Sequence, residues 1–328
     1  MPEPIADRTV DSPDRPDRVL VVDPIAAGAL AELRTHYDVT VAMQPGPAEL
    51  ERLLQDTDAI VLRSGVRLPA AAIEGAPRLR VIARAGNGTE NIDLDAARRT
   101  GVQVFNIPSV SSGAVAELAL GVTLAITRKI CQADREVRQN IWRKADLVGA
   151  ELSGKTMGIV GLGSIGGRLA RIAQALDMDV VGSVRNHTAE RSAEWRERGV
   201  DLVPVPEVLR RADVVVLACP LDDATRNLVA APELQAMKPS AYLVNVARGG
   251  VVDEDALYTA LVEGWIAGAA LDVLATERAA TPLAALDNVV LTPHIGAMSW
   301  DSQDRIGELL LDGLRCGLAG QDAPTRVC

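Results

Sequence analysis

The run Thr156-Met157-Gly158-Ile159-Val160-Gly161-Leu162-Gly163-Ser164-Ile165-Gly166 decides the architecture of this chain. Its apolar first half predicts a buried strand. The glycines at Gly161, Gly163 and Gly166 predict a tight turn, a close approach of backbone to a pyrophosphate, and close helix packing. A helix carrying Leu169, Ile172, Ala173 and Leu176 opens near Ile165, so its N-terminus points at the phosphates. A GxGxxG alone is a weak signal that an ordinary strand-to-helix turn also gives; the strand before it and the helix after it give it weight.

Outward from this run the pattern alternates. Toward the C-terminus, apolar runs at 179–182, 214–218, 242–245, 266–271 and 289–292 predict strands, and helical patterns fall near 167–176, 207–210, 232–237 and 254–263. Toward the N-terminus, strands are expected at 19–22, 39–41, 59–62, 79–82 and 102–105, with helices at 26–36, 49–55, near Ala70 and at 94–99. Between the two series, one long helix is expected from about Ser112 into the 135–143 region. A last helical stretch, 299–318, has no strand after it, and its periodicity alone only weakly suggests that it returns to the first series. With 328 residues, the chain exceeds what one core usually organises. The expectation is α/β, in two doubly wound parallel-sheet domains.

Composition narrows the function classes. The 48% apolar content comes from Ala, Val, Leu and Ile with a single phenylalanine, Phe105, which suits parallel sheets covered on both faces. A net charge of −10 without a basic stripe argues against a nucleic-acid partner, yet leaves room for an anionic ligand held by local arginines. Cys131, Cys219, Cys316 and Cys328 have neither metal-ligand nor redox spacing, so a reduced, cytoplasmic protein without a metal is expected. Residues 1–17, rich in acids, arginines and prolines, lack the apolar core of a secretory signal and read as a disordered tail. The apolar stretch 114–127 contains Glu117 and is too short to span a bilayer, so no membrane association is expected.

Two later segments carry chemistry: Asn245-Val246-Ala247-Arg248-Gly249 and Thr292-Pro293-His294-Ile295-Gly296, each closing an apolar run, with Glu277 between them. Arginine binds a carboxylate through two parallel hydrogen bonds, and histidine is the side chain whose unperturbed pKa lies near working pH. Taken singly, each has a plain structural role open to it: Arg248 tying down a strand end, Glu277 a solvated loop acid, His294 a satisfied buried histidine. Taken in order with the glycine turn, they resemble the D-isomer-specific 2-hydroxyacid dehydrogenases, and the resemblance runs from Arg18 to about Leu318, including Trp142 and the 151–155 approach to the glycine-turn strand.

That resemblance implies a Rossmann dinucleotide-binding domain, 111–296, inserted in a flavodoxin-like substrate domain made of 18–110 and 297–328. It implies an NAD(P)-dependent oxidoreductase acting on CH–OH donors. Hydride would pass between nicotinamide C4 and C2 of a small 2-keto acid such as hydroxypyruvate or glyoxylate. Arg248 would bind the substrate carboxylate and polarise its carbonyl, His294 would give or take the proton, and Glu277 would fix the imidazole's tautomer and raise its pKa. The family commonly has proline after that glutamate; this chain has Arg278, which predicts a local change in the loop.

Gly161, Gly163, Ser164, Ile165 and Gly166 would cradle the cofactor, joined by Cys219, Pro220 and Thr225 near its adenosine half and by Ala247. Asp272 would orient the nicotinamide carboxamide, with a helix cap as its competing role. NAD-binding folds usually place an acid after the second strand. Here Val181-Gly182-Ser183-Val184-Arg185-Asn186-His187 offers none, so Arg185 is expected to pair with a 2′-phosphate. NADP(H) is therefore favoured, with NAD(H) possible and Arg185 as a merely solvated arginine the alternative.

Arg63, Ser64, the Asn87-Gly88 backbone and Gln303 resemble substrate-facing positions. Arg63, Ser64 and Gln303 also match phosphoglycerate dehydrogenases, but Ser111 stands where those have asparagine. Activity on phosphohydroxypyruvate, on formate or on phosphite, and a non-catalytic dinucleotide-sensing role like that of the family's co-repressors, remain alternatives. The resemblance also implies a homodimer, with 142–148 as a candidate arm, and no regulatory domain is expected after the last helix.

Overall fold

The computed structural model describes residues 15–328. The chain divides into two units: the first runs through Ser111 and resumes with Met298–Cys328, and the second is Ser112–Ala297.

The first unit is built on five parallel strands, β1 (Arg18–Val21), β2 (Asp38–Val41), β3 (Ala59–Leu62), β4 (Val81–Arg84) and β5 (Gln103–Asn106), in the order β2-β1-β3-β4-β5. β3 and β4 are buried along their whole length, as a parallel strand covered on both faces must be, whereas the edge strand β2 alternates between exposed and half-buried residues. One face packs Leu20, Ile60, Ile82 and Val104 against Leu50, Leu54, Ile73 and Ala96. The other packs Val21, Val61, Val81 and Phe105 against Leu33 and against Ile306, Leu310 and Leu314 of the helix Trp300–Leu318. That helix lies close because it is small where it meets the sheet: a Cβ on Gly313 would come within 2.4 Å of the Phe105 ring. Among the described residues no strand follows this helix, but the last residues still bond to β5: Val327 N donates to Val104 O at 2.7 Å and Val104 N to Cys328 O at 3.0 Å. These residues cover the β5 edge.

The expected tail falls mostly on residues 1–14, outside the described residues. Two of its last three positions are tied down: Arg15 pairs with Asp58 at 2.8 Å, and Asp17 accepts from Arg80 through its carboxylate and from Asp38 N through its carbonyl.

The second unit has seven parallel strands: β6 (Thr156–Val160), β7 (Asp179–Ser183), β8 (Val200–Leu202), β9 (Val214–Leu217), β10 (Tyr242–Asn245), β11 (Gly268–Leu271) and β12 (Val289–Leu291). Their order is β12-β11-β10-β9-β6-β7-β8, so the chain winds from β6 outward to β8, then returns to β6's other side as β9. Such a reversal opens a crevice at the C-terminal ends of the two strands beside it, where doubly wound sheets bind ligands.

The expected long helix after Pro108 is two helices, Ser112–Thr127 and Ile130–Arg138, followed by a single 3₁₀ turn at Lys144–Asp146. The break falls at Lys129, whose φ of 54° is left-handed, and the Thr127 carbonyl, freed there, accepts from Ala150 N at 2.9 Å. Within the apolar first helix, Thr123 and Thr127 satisfy their buried hydroxyls on the Ala119 and Thr123 carbonyls. The helix Ala189–Glu197 and β8 were not expected. The helix buries only Trp195, leaving little apolar periodicity to read, and β8 is three residues long with Asp201 at its centre.

Candidate active site

The glycine turn follows β6 as expected, and its three glycines differ in what surrounds them. A Cβ on Gly161, whose φ is +101°, would meet the Ala218 carbonyl oxygen at 2.7 Å, and one on Gly166 would meet the Gly161 carbonyl oxygen at 2.1 Å. Both must be glycine for the protein's own packing. Gly163 has nothing within 4 Å of its missing Cβ, so the space over it is open to a ligand. The helix Ser164–Gln174 begins there, its first intrahelical donor being Gly167 N to Gly163 O at 2.9 Å. The amides of Ser164, Ile165 and Gly166 precede that first bond and are left at the helix mouth. An open cradle, three amides and the positive end of a helix fit a pyrophosphate.

Three adjacent strands deliver the expected catalytic side chains. Asn245 and Leu291 both pair in register with Leu271, so β10, β11 and β12 end level. After β10, Asn245 folds the next segment onto itself, its Oδ1 accepting from Ala247 N at 3.0 Å and its Nδ2 donating to Arg248 O at 3.0 Å. Arg248 is half-buried and donates through Nη1 to Ala247 O at 2.8 Å. Gly249 admits no side chain, since a Cβ would lie 2.0 Å from the Leu274 carbonyl oxygen.

One residue past β11, Asp272 is 3% exposed and gathers the segment after β12. Its Oδ1 accepts from Thr292 Oγ1 at 2.6 Å and Ile295 N at 2.8 Å, its Oδ2 accepts from Gly296 N at 2.9 Å, and its carbonyl accepts from His294 N at 2.8 Å. No helix begins at Asp272, so the helix-cap role does not arise. Three donors leave about one of the carboxylate's four acceptor positions, on Oδ2, for a further donor such as a carboxamide.

His294 sits at the centre of this clamp with φ +57°, a left-handed conformation that a non-glycine residue holds only when its surroundings impose it. Its Nδ1 meets Glu277 Oε1 at 2.5 Å. A carboxylate only accepts, so Nδ1 carries the hydrogen and Nε2 is left to exchange a proton. The next residue, Arg278, has φ +68°, which proline's ring cannot adopt. A proline could not stand here without a change in the local path of the loop.

At the other end of the crevice, Arg185 follows β7 and is not the unopposed cation that the local sequence suggested. It is ion-paired with Asp222, from the segment after β9, and the guanidinium holds that carboxyl below the usual carboxylate range. Asp222 was missed because it lies 37 residues away in sequence and meets Arg185 only through the fold. In the same turn, Thr225 donates to Pro220 O at 2.7 Å and accepts from Asp222 N at 2.8 Å, so its hydroxyl holds the turn's shape. Cys219 is half-buried, and burial pushes its thiol up, away from nucleophilic chemistry.

In the first unit, Arg63 and Ser64 follow β3 while Asn87 and Gly88 follow β4. Arg63 donates to Gln303 Oε1 at 2.9 Å, so two of the expected substrate residues meet. Burial lowers the Arg63 guanidinium's pKa, and buried Asp23, which accepts from Arg63 N at 2.7 Å, opposes that shift. Ser64 and Asn87 are exposed, and the Asn87 carbonyl accepts from Asn106 Nδ2 at 2.5 Å. Among the described residues no cluster of histidine, cysteine or carboxylates could hold a metal, and no helix is long and apolar enough to cross a membrane.

Residues 120–296, just over half the chain, match the family described as D-isomer specific 2-hydroxyacid dehydrogenase, NAD binding domain. The chain is 40% identical over 312 residues to the D-3-phosphoglycerate dehydrogenase of Methanocaldococcus jannaschii, covering 94% of this chain but 59% of that longer protein. It is 37% identical over 321 residues to the glyoxylate reductase of Thermococcus onnurineus, covering 94% of this chain and 95% of that one. The crystal structure of the TT0316 protein from Thermus thermophilus superposes with a TM-score of 0.87 at 34% identity, over 95% of this chain and all of that one. With the glycine turn, the reversal of strand order and the His294–Glu277 pair in place, these matches agree on one conclusion: the chain belongs to the D-isomer-specific 2-hydroxyacid dehydrogenase family.

Proposed function

We propose that this protein is an NAD(P)-dependent 2-keto acid reductase, the reverse direction being oxidation of a D-2-hydroxy acid, with hydroxypyruvate or glyoxylate as representative substrates. The observation that carries the proposal is the His294 imidazole, bonded through Nδ1 to Glu277 and clamped by Asp272 at a strand end level with the one that leads to Arg248. When bound, the dinucleotide supplies the hydride that adds to the keto carbon. Arg248 binds the substrate carboxylate and draws electron density from the adjacent carbonyl. His294 Nε2 gives its proton to the oxygen as C2 is reduced, and Glu277 stabilises the imidazolium from which that proton leaves. Asp272 offers its remaining acceptor position to the carboxamide, and Gly163 with the amides of residues 164–166 receives the pyrophosphate.

On the cofactor, Arg185 supports NADP(H), with NAD(H) also accepted. A reduced, cytoplasmic setting is in keeping with four free cysteines. A homodimer is supported by the apolar surface of Ile141, Trp142 (80% exposed) and Val148 (73% exposed) in the segment expected to form an arm. Phosphohydroxypyruvate is the second substrate reading, favoured by the Arg63–Gln303 bond.

Steady-state oxidation of NADPH and of NADH with hydroxypyruvate, glyoxylate and phosphohydroxypyruvate tests the proposal. Saturable turnover yielding a D-hydroxy acid is expected. Protein that binds dinucleotide yet turns over none of the three would overturn it.

A further inference from the structure

The Arg185–Asp222 pair joins two loops that the sequence keeps apart. β7 and β9 flank β6 on either side, so the segments carrying Arg185 and Asp222 border the glycine turn from left and right. The β9 side comes close: Ala218 and Cys219 backbone atoms stand within 3 Å of where a Gly161 Cβ would be. A dinucleotide seated on that turn directs its adenosine ribose toward the end of β7, where Arg185 stands.

Asp222 is held for this position by its own turn. Its Oδ1 accepts from Ala224 N at 3.0 Å while Oδ2 faces the guanidinium. A ribose 2′-hydroxyl adds no charge beside the pair. A 2′-phosphate brings about two negative charges to the same place and must take Arg185 from Asp222 with the carboxylate still adjacent. The two side chains are 58% and 36% exposed, so the pair opens at small cost and the discrimination it produces is modest.

We propose that Asp222 is a specificity-determining residue: a tethered competitor for the 2′-phosphate at Arg185, supplying through space the acid that the end of β7 lacks. The inference rests on the proposed dinucleotide-dependent activity. It makes the preference between NADP(H) and NAD(H) a property of the pair, not of Arg185 alone.

The test is calorimetric titration of the full-length protein with NADPH, NADH, 2′,5′-ADP and 5′-ADP, read as dissociation constants. Asp222→Asn removes the charge and keeps an oxygen for Ala224 N. It should tighten NADPH and 2′,5′-ADP by about tenfold, the size of one nearby charge at a half-exposed site, and leave NADH and 5′-ADP within about twofold. Asp222→Ser, which also keeps an oxygen for the turn, should behave alike, and Asp222→Glu should restore the wild-type ratio. A NADPH-to-NADH ratio that Asp222→Asn and Asp222→Ser both leave unchanged, in wild-type and variant proteins that bind both, overturns this inference alone. Wild-type protein that binds neither dinucleotide overturns the proposed activity and the inference with it.

Discussion

Two aspartates at opposite ends of the second unit's crevice use the same side chain in different ways. Asp272 is 3% exposed and spends its carboxylate on Thr292, Ile295 and Gly296, all in the segment that carries His294. Asp222 is partly exposed, holds its own turn through Ala224 N, and gives its other oxygen to a single exposed side chain, Arg185. Burial with several backbone donors turns a carboxylate into a fixed part of the scaffold, because any departure leaves several donors unsatisfied at once. Exposure with one charged partner leaves it able to exchange that partner for a ligand. The first arrangement suits placing a proton donor, and the second suits weighing one cofactor against another.

The comparison breaks hardest at the residue that the clamp exists to place. His294→Ala removes the imidazole while leaving Asp272's backbone donors in position, so turnover should fall by about 10²–10⁴-fold with NADPH affinity within about threefold of wild type. Stopped-flow turnover and dinucleotide titration check both halves. Retained turnover would take His294 out of the mechanism, and lost cofactor binding would show that the two ends are not separable.

A subtler variant strikes the clamp itself. Asp272→Asn keeps Oδ1 for Thr292 and Ile295 but sets an NH₂ against the Gly296 N–H, donor to donor. A loss of about 1–3 kcal/mol in stability is expected. If Asp272 also positions His294, kcat should fall further than a thermal shift of that size accounts for at a temperature where the variant is fully folded. Melting curves together with kcat and KM at that temperature distinguish the two. A variant with a lower melting temperature but wild-type kcat would reduce Asp272 to a structural role.

The smallest expected effect concerns Cys219, beside the Asp222 turn. Burial raises its thiol pKa, so at neutral pH it holds its proton, and reactivity should rise only as pH passes above the ordinary thiol range. Mass spectrometry of iodoacetamide-treated protein at pH 7 should find exposed Cys131 alkylated first and Cys219 lagging at least several-fold. Bound dinucleotide should slow Cys219 further if this loop borders the adenosine site. Equal labelling of the two cysteines would contradict the burial.

Much of the fold was legible in the sequence, because parallel strands buried on both faces must be written as short aliphatic runs. β3, β9 and β10 stand where the apolar runs put them, and β4 is shifted two residues because Leu79 packs in the core without joining the ladder. Elements without that contrast were not legible. The helix Ala189–Glu197 is charged along most of its surface, and β8 is an edge strand with an acid in it. The break at Lys129 depends on the chain's return at Ala150, which supplies a donor for the Thr127 carbonyl.

By itself, then, the sequence determined the α/β alternation and the glycine turn, since each is a local pattern whose physics follows from residue type and neighbours, while Arg248, Glu277 and His294 were singled out by the family resemblance that their order carries. The tertiary structure alone decided the partners. It brought Glu277 to Nδ1 of His294, folded Asp272 under the turn that carries it, and set Asp222 against Arg185 from the far side of β6. Hydrogen bonds and ion pairs act over a few ångströms of space, whatever the separation along the chain. A residue such as Asp222, unremarkable among its sequence neighbours, acquires its role only when the order of strands in the sheet has fixed what stands beside it.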